Sequence, residues 1–447
     1  MMRYLPTFAD RPVPRYTSYP TAAEFTNQVS VAAQSEALKA VPSAAPVSLY
    51  VHIPYCRHLC FYCACNTGPA GKPERQTRYL AALKREGDLV ADQMRGQLVS
   101  IHFGGGSPNA LAAADFEDLV LFLRTRFECA EQLEIAVELD PRLMDLAYAE
   151  ALSRAGVTRA SLGVQTFAPH VQAAIGRVQP FWQVFDTVRD LRRTGIDRIS
   201  FDLMYGLPGQ SVEDVATTIA EAMSMSPDRI AMFGYAHVPA LQPRQRAIES
   251  ALLPDGATRF AQSALAFDML VVEGYQPIGF DHFARPDDSL AIAAAEGRLK
   301  RNFQGFTDEP GIAVIGLGAS AISQFDDVLI QNRKHEADYR KAIENGALAG
   351  VRGVRRTMED RLRGAAIMRF LCEGAIDLAQ LAKGCDQAPE IFVSALPRLA
   401  ELEHAGLVTR EGWDIRLTEA GRPYARLAAS AFDAWRDGSV GTFSQAV

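Results

Sequence analysis

No run of apolar residues in this sequence reaches the roughly 18 that a membrane-spanning helix needs. The opening stretch, MMRYLPTFADRPVPRYTSYPTA, has no apolar region of the kind a secretory leader carries. Both absences lead to the expectation of a soluble, cytoplasmic protein. Positive charge is also scarce: Lys and Arg number 46 against 53 Asp and Glu, a net charge of −7. That balance argues against general binding to nucleic acid or to anionic membranes. The glycine run Gly104-Gly105-Gly106-Ser107 lacks the spacing of a phosphate loop or of a dinucleotide fingerprint. Cysteine is sparse outside one stretch. Cys129, Cys372 and Cys385 are scattered and read as ordinary buried thiols.

The other four of the seven cysteines crowd into residues 51–66, VHIPYCRHLCFYCACN. Cys56, Cys60 and Cys63 are spaced C-x3-C-x2-C, close enough for one short loop to turn three thiolates toward one centre. Thiolates are the usual ligands of iron–sulfur clusters. A cubane has four irons, so three protein ligands leave one iron open. A structural zinc site wants four closed ligands and commonly draws them from two separated pairs. One residue separates Cys65 from Cys63, which places it awkwardly to complete a tetrahedron. The spacing favours a cluster over zinc, and clustered cysteines in such a chain read as ligands rather than disulfides.

The 447 residues, 48% of them hydrophobic, suffice for two domains or for one large α/β domain with an appendage. The first 46 residues, rich in proline and aromatics around PRYTSYPT, read as an extended arm ending in a short helix after Ser30. From residue 47 strand-like and helix-like runs alternate, giving six βα units before about residue 245. Repeated βα units imply a parallel sheet, part of a barrel or a flat doubly wound one. Glycines 104–106, Glu138, Gln165, Asp202 and the pair Ala236-His237 fall at or near strand ends, where barrels of this kind keep their chemistry. Charged groups inside apolar runs are costly, so packing alone does not account for them. Past about residue 355 the order helix, helix, helix, hairpin suggests a winged helix. Its third helix is acidic, which suits a structural cover better than a DNA reader.

The cysteine stretch resembles the cluster loop of the radical S-adenosylmethionine (SAM) enzymes. Within them, the lead-in YVHIPYC and the extra Cys65 are most similar to the oxygen-independent coproporphyrinogen III oxidases. The resemblance implies an open, partial (β/α)6 TIM-like barrel of the radical SAM type, with an N-terminal arm and a mostly helical, winged-helix-like C-terminal domain. It divides the chain into an arm over the active site (1–46), a catalytic domain (47–350) and a C-terminal cover (351–447). It implies a [4Fe–4S] cluster on Cys56, Cys60 and Cys63, with SAM on the open iron. Tyr50, Glu138 and Ile322 would hold that SAM, and Gly105, Gly106 and Ser107 would meet its methionine amino group. Tyr62, Gln165, Arg177, Asp202 and Ala236 match positions around a second SAM. His52 and Cys65 match positions implicated in activity.

The implied reaction turns two propionates of coproporphyrinogen III into vinyls with loss of CO2, giving protoporphyrinogen IX for haem synthesis. The step is started by a 5′-deoxyadenosyl radical. An unidentified low-potential donor, flavodoxin- or ferredoxin-like, would supply the electron. Four substrate carboxylates on an acidic protein call for local basic groups, for which Arg15, Arg285 and Arg301 are the candidates. The resemblance leads one to expect a monomer with no nucleic-acid or membrane partner. The rival reading is a haem-trafficking protein of the same subfamily. Cys65, the PRYTSYPT arm and GFDHFARPDD argue against it.

Overall fold

The computed structural model describes residues 2–436 and 443–446. The chain packs as two compact units, neither of them continuous in sequence. One comprises Met1–Glu24, Leu203–Asp308 and Arg356–Val447; the other comprises Phe25–Asp202 and Glu309–Arg355.

Six strands appear where the alternating runs expect them: β1 (Pro46–Ile53), β2 (Gln97–Gly105), β3 (Cys129–Leu139), β4 (Arg159–Gln165), β5 (Arg198–Tyr205) and β6 (Arg229–Gly234). The helices between them include α1 (Pro73–Ala91), α2 (Ala113–Arg126), α3 (Leu146–Ala155), α4 (Phe181–Arg193) and α5 (Val212–Ser224). Their limits have local causes. Asp145 caps α3 by accepting from the Tyr148 amide at 2.8 Å, and Gly156, at φ 86°, ends it in a conformation that favours glycine. Ser211 and Asp214 close a reciprocal capping box on α5. The chain passes from one unit into the other within β5.

In the first unit, α6 (Gly256–Val272) precedes β7 (Gln276–Ile278) and β8 (His282–Ala284), and β8 pairs antiparallel with both β6 and β7. The helices Met358–Glu373, Leu378–Lys383 and Leu396–His404 follow, with strands Ala375–Asp377, Val408–Glu411 and Asp414–Leu417 forming a small antiparallel wing. The start of the chain is no loose end. Tyr16 and Tyr19 are buried in one core with Phe370, Phe392 and Phe432, and the Tyr16 hydroxyl donates to Asp433 at 2.9 Å.

In the second unit β1 lies between β2 and β9 (Ala313–Leu317), parallel to both, and β2–β3 and β3–β4 are parallel too. Val47, Leu49, Val51 and Ile53 are fully buried with Ser48 and His52 between them, the texture of a parallel strand covered on both faces. Beyond β9 the sheet continues antiparallel through β10 (Ile322–Gln324), β11 (Val328–Asn332) and β12 (Gly350–Arg355). The small-residue run AVIGLGASAIS does bring backbones close: a Cβ on Gly316 would lie 2.7 Å from the Ile322 carbonyl oxygen.

The scattered cysteines differ from expectation. Cys129 and Cys372 are only partly buried and Cys385 is exposed, because it sits in the turn just past Leu378–Lys383 rather than on a packed face. Among the described residues no helix is long and apolar enough to cross a membrane.

Candidate active site

All the cysteines of the motif stand in the second unit, on the loop that leaves β1. Backbone bonds fasten this loop from three sides. Gly106 and Ser107 amides donate to the carbonyls of Ile53 and Tyr55 at 2.8 and 2.7 Å; the Phe61 amide donates to Ile175 at 3.0 Å; and Tyr55-Cys56 pairs in parallel with Gly68-Pro69. Each of the three motif sulfurs receives a donor. The Ser107 hydroxyl faces Cys56 Sγ at 3.8 Å, and the Cys65 amide points at Cys63 Sγ at 3.4 Å. Two guanidiniums, Arg142 and Arg177, approach Cys60 Sγ at 3.6 and 3.5 Å. Cys60 is buried, Cys56 and Cys63 are partly covered, and Cys65 is exposed.

The glycine run brings backbone against side chains. A Cβ on Gly104 would lie 2.6 Å from Glu138 Oε1, and one on Gly106 would lie 2.5 Å from the Tyr55 carbonyl. Glu138, next to last in β3, accepts from the Gly105 amide at 3.2 Å and meets His102 Nε2 at 3.1 Å. Burial alone would push Glu138 up and His102 down. Their mutual bond outweighs it, leaving Glu138 below its ordinary range and His102 above. Tyr50 stacks on His102, ring centres 5.9 Å apart, and its hydroxyl lies 3.2 Å from His52 Nδ1. His52 Nε2 lies 3.0 Å from the Asn66 carbonyl, which can only accept, so the proton sits on Nε2 and Nδ1 accepts from Tyr50. Burial holds His52 neutral by lowering its pKa.

A second knot surrounds Cys60. Asp140 takes Arg142 in a fork, at 2.9 and 2.7 Å, and Arg177 at 3.3 Å, and these cations keep it ionised against its burial. Arg177 also donates to the Gly163 carbonyl at 2.6 Å, while its buried Nε has no partner. Tyr62, partly buried, is within electrostatic reach of Arg177 and Cys60. Gln165, the last residue of β4, holds φ at 68°, a conformation unusual for a side-chain-bearing residue, and its amide lies beside Gly163 as Arg177 does.

Asp202 is not at a strand end but three residues before the close of β5, where it accepts from Ser161 at 3.3 Å. Burial, then the charge of Glu138, pushes it up to about 7. Ile322 opens β10. Ala236 belongs to the other unit, where its carbonyl accepts from Gln245 at 3.0 Å.

Three residues of these knots escaped the sequence reading: His102, Asp140 and Arg142. His102 had a signal, a lone polar ring two residues before the glycines in LVSIHF. Asp140 and Arg142 were visible only as a turn, ELDPR. A further buried tie stands behind the site. Glu86 on α1 accepts from the Gly318 amide, Asn332 and Tyr339 at 2.7, 2.8 and 2.7 Å, while the Tyr79 hydroxyl donates to the His52 carbonyl at 2.7 Å.

Residues 50–222 match the model of the radical SAM superfamily. The chain is 40% identical to an oxygen-independent coproporphyrinogen III oxidase of Cereibacter sphaeroides over 95% of each chain. It is also 40% identical to that of Bradyrhizobium diazoefficiens, over 99% of this chain and 98% of the relative. The chain belongs to the oxygen-independent coproporphyrinogen III oxidase family. Its fold is the radical SAM fold. The solved coproporphyrinogen III oxidase (HemN) of Escherichia coli superposes with a TM-score of 0.90 at 36% identity, covering 94% of this chain and 97% of that one.

The cofactors of this radical SAM family are a [4Fe–4S] cluster and SAM, and the loop fits the cluster. No disulfide joins its cysteines, and each motif sulfur already has a donor suited to a thiolate. Among the described residues no three His, Cys, Asp or Glu side chains gather as ligands of a single ion. A cubane offers each thiolate its own iron, so its ligands stand apart, unlike those of a tetrahedral zinc site.

Proposed function

We propose that this chain converts coproporphyrinogen III to protoporphyrinogen IX without oxygen, by oxidative decarboxylation of two propionates to vinyls in haem synthesis. The observation that carries the reading is the loop of Cys56, Cys60 and Cys63 beside Gly104–Gly106 and Glu138, in a chain alike over nearly its whole length to oxidases of that name. When bound, cluster and SAM supply the 5′-deoxyadenosyl radical that removes a hydrogen from a propionate β-carbon; CO2 and one electron then leave.

The chain's own part is binding and order. Cys56, Cys60 and Cys63 would ligate the cluster. Tyr50, Gly105, Gly106, Ser107, Glu138 and Ile322 would hold the SAM bound to it. The ionised Glu138 suits its ammonium group, because His102 and the Gly105 amide keep the carboxylate charged and aimed. Tyr62, Gln165, Arg177, Asp202 and Ala236 serve a second SAM. His52, neutral and pinned by Tyr50 and Asn66, and Cys65, next to Cys63, serve the reaction rather than ligate the cluster. A soluble monomer in the cytoplasm, fed by a flavodoxin- or ferredoxin-like donor and binding neither nucleic acid nor membrane, completes the reading.

Anaerobic incubation of the reconstituted protein with coproporphyrinogen III, SAM and dithionite tests it. Vinyl product should appear together with 5′-deoxyadenosine and methionine. Absence of vinyl product from protein that contains four irons overturns the reading.

A further inference from the structure

The first unit contains a second polar centre, far richer in cations than the fold requires. Arg15, Arg259 and Arg426 line one cavity of about 50 Å3 with Tyr205, Phe280 and Asp281. A space of that size takes a few waters or one carboxylate head, not a ring system. Arg15 donates to the Gly234 carbonyl at 2.7 Å, and Arg259 donates to the Tyr235 carbonyl at 2.9 Å with its buried Nε unpartnered. Arg426 donates to the Gln445 and Ala446 carbonyls at 2.7 and 2.8 Å and to the Ser444 hydroxyl at 3.2 Å. All these acceptors are neutral. Among the described residues none of the three arginines forms an ion pair. The one carboxylate lining the cavity, Asp281, takes its hydrogen bond from His282 Nδ1 at 2.6 Å.

The fold also spends contacts on keeping the cations in place. Arg301, buried and stacked over Phe280 and Phe306 at 4.9 and 4.5 Å, clasps the Arg15 and Tyr16 carbonyls at 3.2 and 3.1 Å. Gly234 has no side chain where a Cβ would lie 3.3 Å from Arg259 Nη2. Burial first, then the charge of Arg15, pushes Arg426 down to about 10 and also lowers Arg259. Packing offers no reason to gather like charges, since apolar side chains of similar volume would fill the space at lower cost. An anion reverses the sign of that cost. Guanidinium forks match the two oxygens of a carboxylate, and the walls Phe233 and Phe280 suit an apolar stem behind it. Of the arginines considered from sequence, Arg285 is excluded from this group: it is paired on the surface with Asp287 at 3.3 Å.

We propose that Arg15, Arg259 and Arg426 form a carboxylate subsite that anchors one propionate of the tetrapyrrole substrate. The proposal rests on the function given above for the identity of the ligand, and on the cavity alone for its class. It makes α6 and the C-terminal segment part of substrate binding rather than a cover.

The test uses full-length, anaerobically reconstituted protein and two probes, coproporphyrin III and its tetramethyl ester, whose binding is read by fluorescence. The wild type should bind the acid about ten- to a hundredfold more tightly than the ester. Arg259→Met and Arg426→Met should shrink that preference toward unity and raise KM for coproporphyrinogen III by a similar factor, with kcat changed less than about threefold. Where a Met variant fails to fold, Arg259→Lys and Arg426→Lys keep the charge but lose the fork, and should lose part of the preference. A merely structural role would weaken acid and ester alike. Retention of the full acid preference in soluble variants overturns the subsite even if vinyl product forms. Conversely, an arginine-dependent acid preference in a wild type that makes no vinyl product leaves the subsite standing and removes the reaction.

Discussion

Charge is handled in opposite ways around the cysteine loop and around the arginine cavity. Near the cysteines the buried carboxylates have counterparts: Glu138 has His102 and a backbone amide, and Asp140 has Arg142 and Arg177. In the cavity, among the described residues, three guanidiniums donate to neutral groups, and the one carboxylate, Asp281, is hydrogen-bonded to His282 while its charge is felt by Arg15 and Arg426. The first arrangement holds its carboxylates ionised and aimed for a cofactor. Among the described residues the second holds more positive charge than negative, and a ligand bringing negative charge would offset it. A centre that performs chemistry and a centre that recognises substrate therefore differ in whether the protein balances its own charge.

The largest expected effects probe the balanced region. Cys60→Ala should lose the iron and all product, whereas Cys65→Ser should keep the iron and lose product, as read by iron count and vinyl yield on anaerobically purified protein. Equal iron loss in both variants would mean that Cys65 is a ligand after all. Next comes Asp140→Ala, which strips Arg142 and Arg177 of their buried counter-charge. It should cost about 3–5 kcal/mol by urea unfolding and bring with it a fall in iron retention. An unaffected variant would erase the distinction between matched and unmatched cations.

Glu86 gives a smaller effect with a defined sign. Its folded pKa is pushed up to about 7 from an ordinary 4.5, first by burial, although three donors oppose that. The folded state therefore binds the proton more tightly than the unfolded chain does. The associated stability is full below about pH 4.5 and is lost as pH rises through 7, to a total of about 3 kcal/mol. Urea titrations should show this slope in the wild type and not in Glu86→Gln. Smallest is Asp202. Ionising near pH 7, it should tighten SAM binding by up to about tenfold between pH 6 and 8, and Asp202→Asn should flatten that rise in calorimetry.

Much of the cysteine-bearing unit was legible before any coordinates. The C-x3-C-x2-C spacing is local, and the alternation of β1 to β6 with their helices follows from apolar period and capping residues such as Asp145 and Ser211. What stayed hidden was made of partnerships across distance. Glu86 sits in PERQTRYLAALKREGDLVA, where any reader would place it on a solvated face, yet its partners come from residues 318, 332 and 339. Arg426 lies in GRPYARLAAS, one arginine among several, and nothing in that spacing announces Arg15 or Arg259. Arg142 reaches Cys60 across 82 positions. Only groups whose spacing is set along the chain leave a pattern in it.

The interleaved division of the chain has a consequence for how the protein is born. The cysteine-bearing unit has all its pieces once Arg355 has left the ribosome, while the other still awaits the stretch from Arg356 onward. Domains fold as they emerge, at about 5–20 residues per second. At such rates the last residue of the cysteine-bearing unit, Arg355, precedes the later residues of the other unit by several seconds.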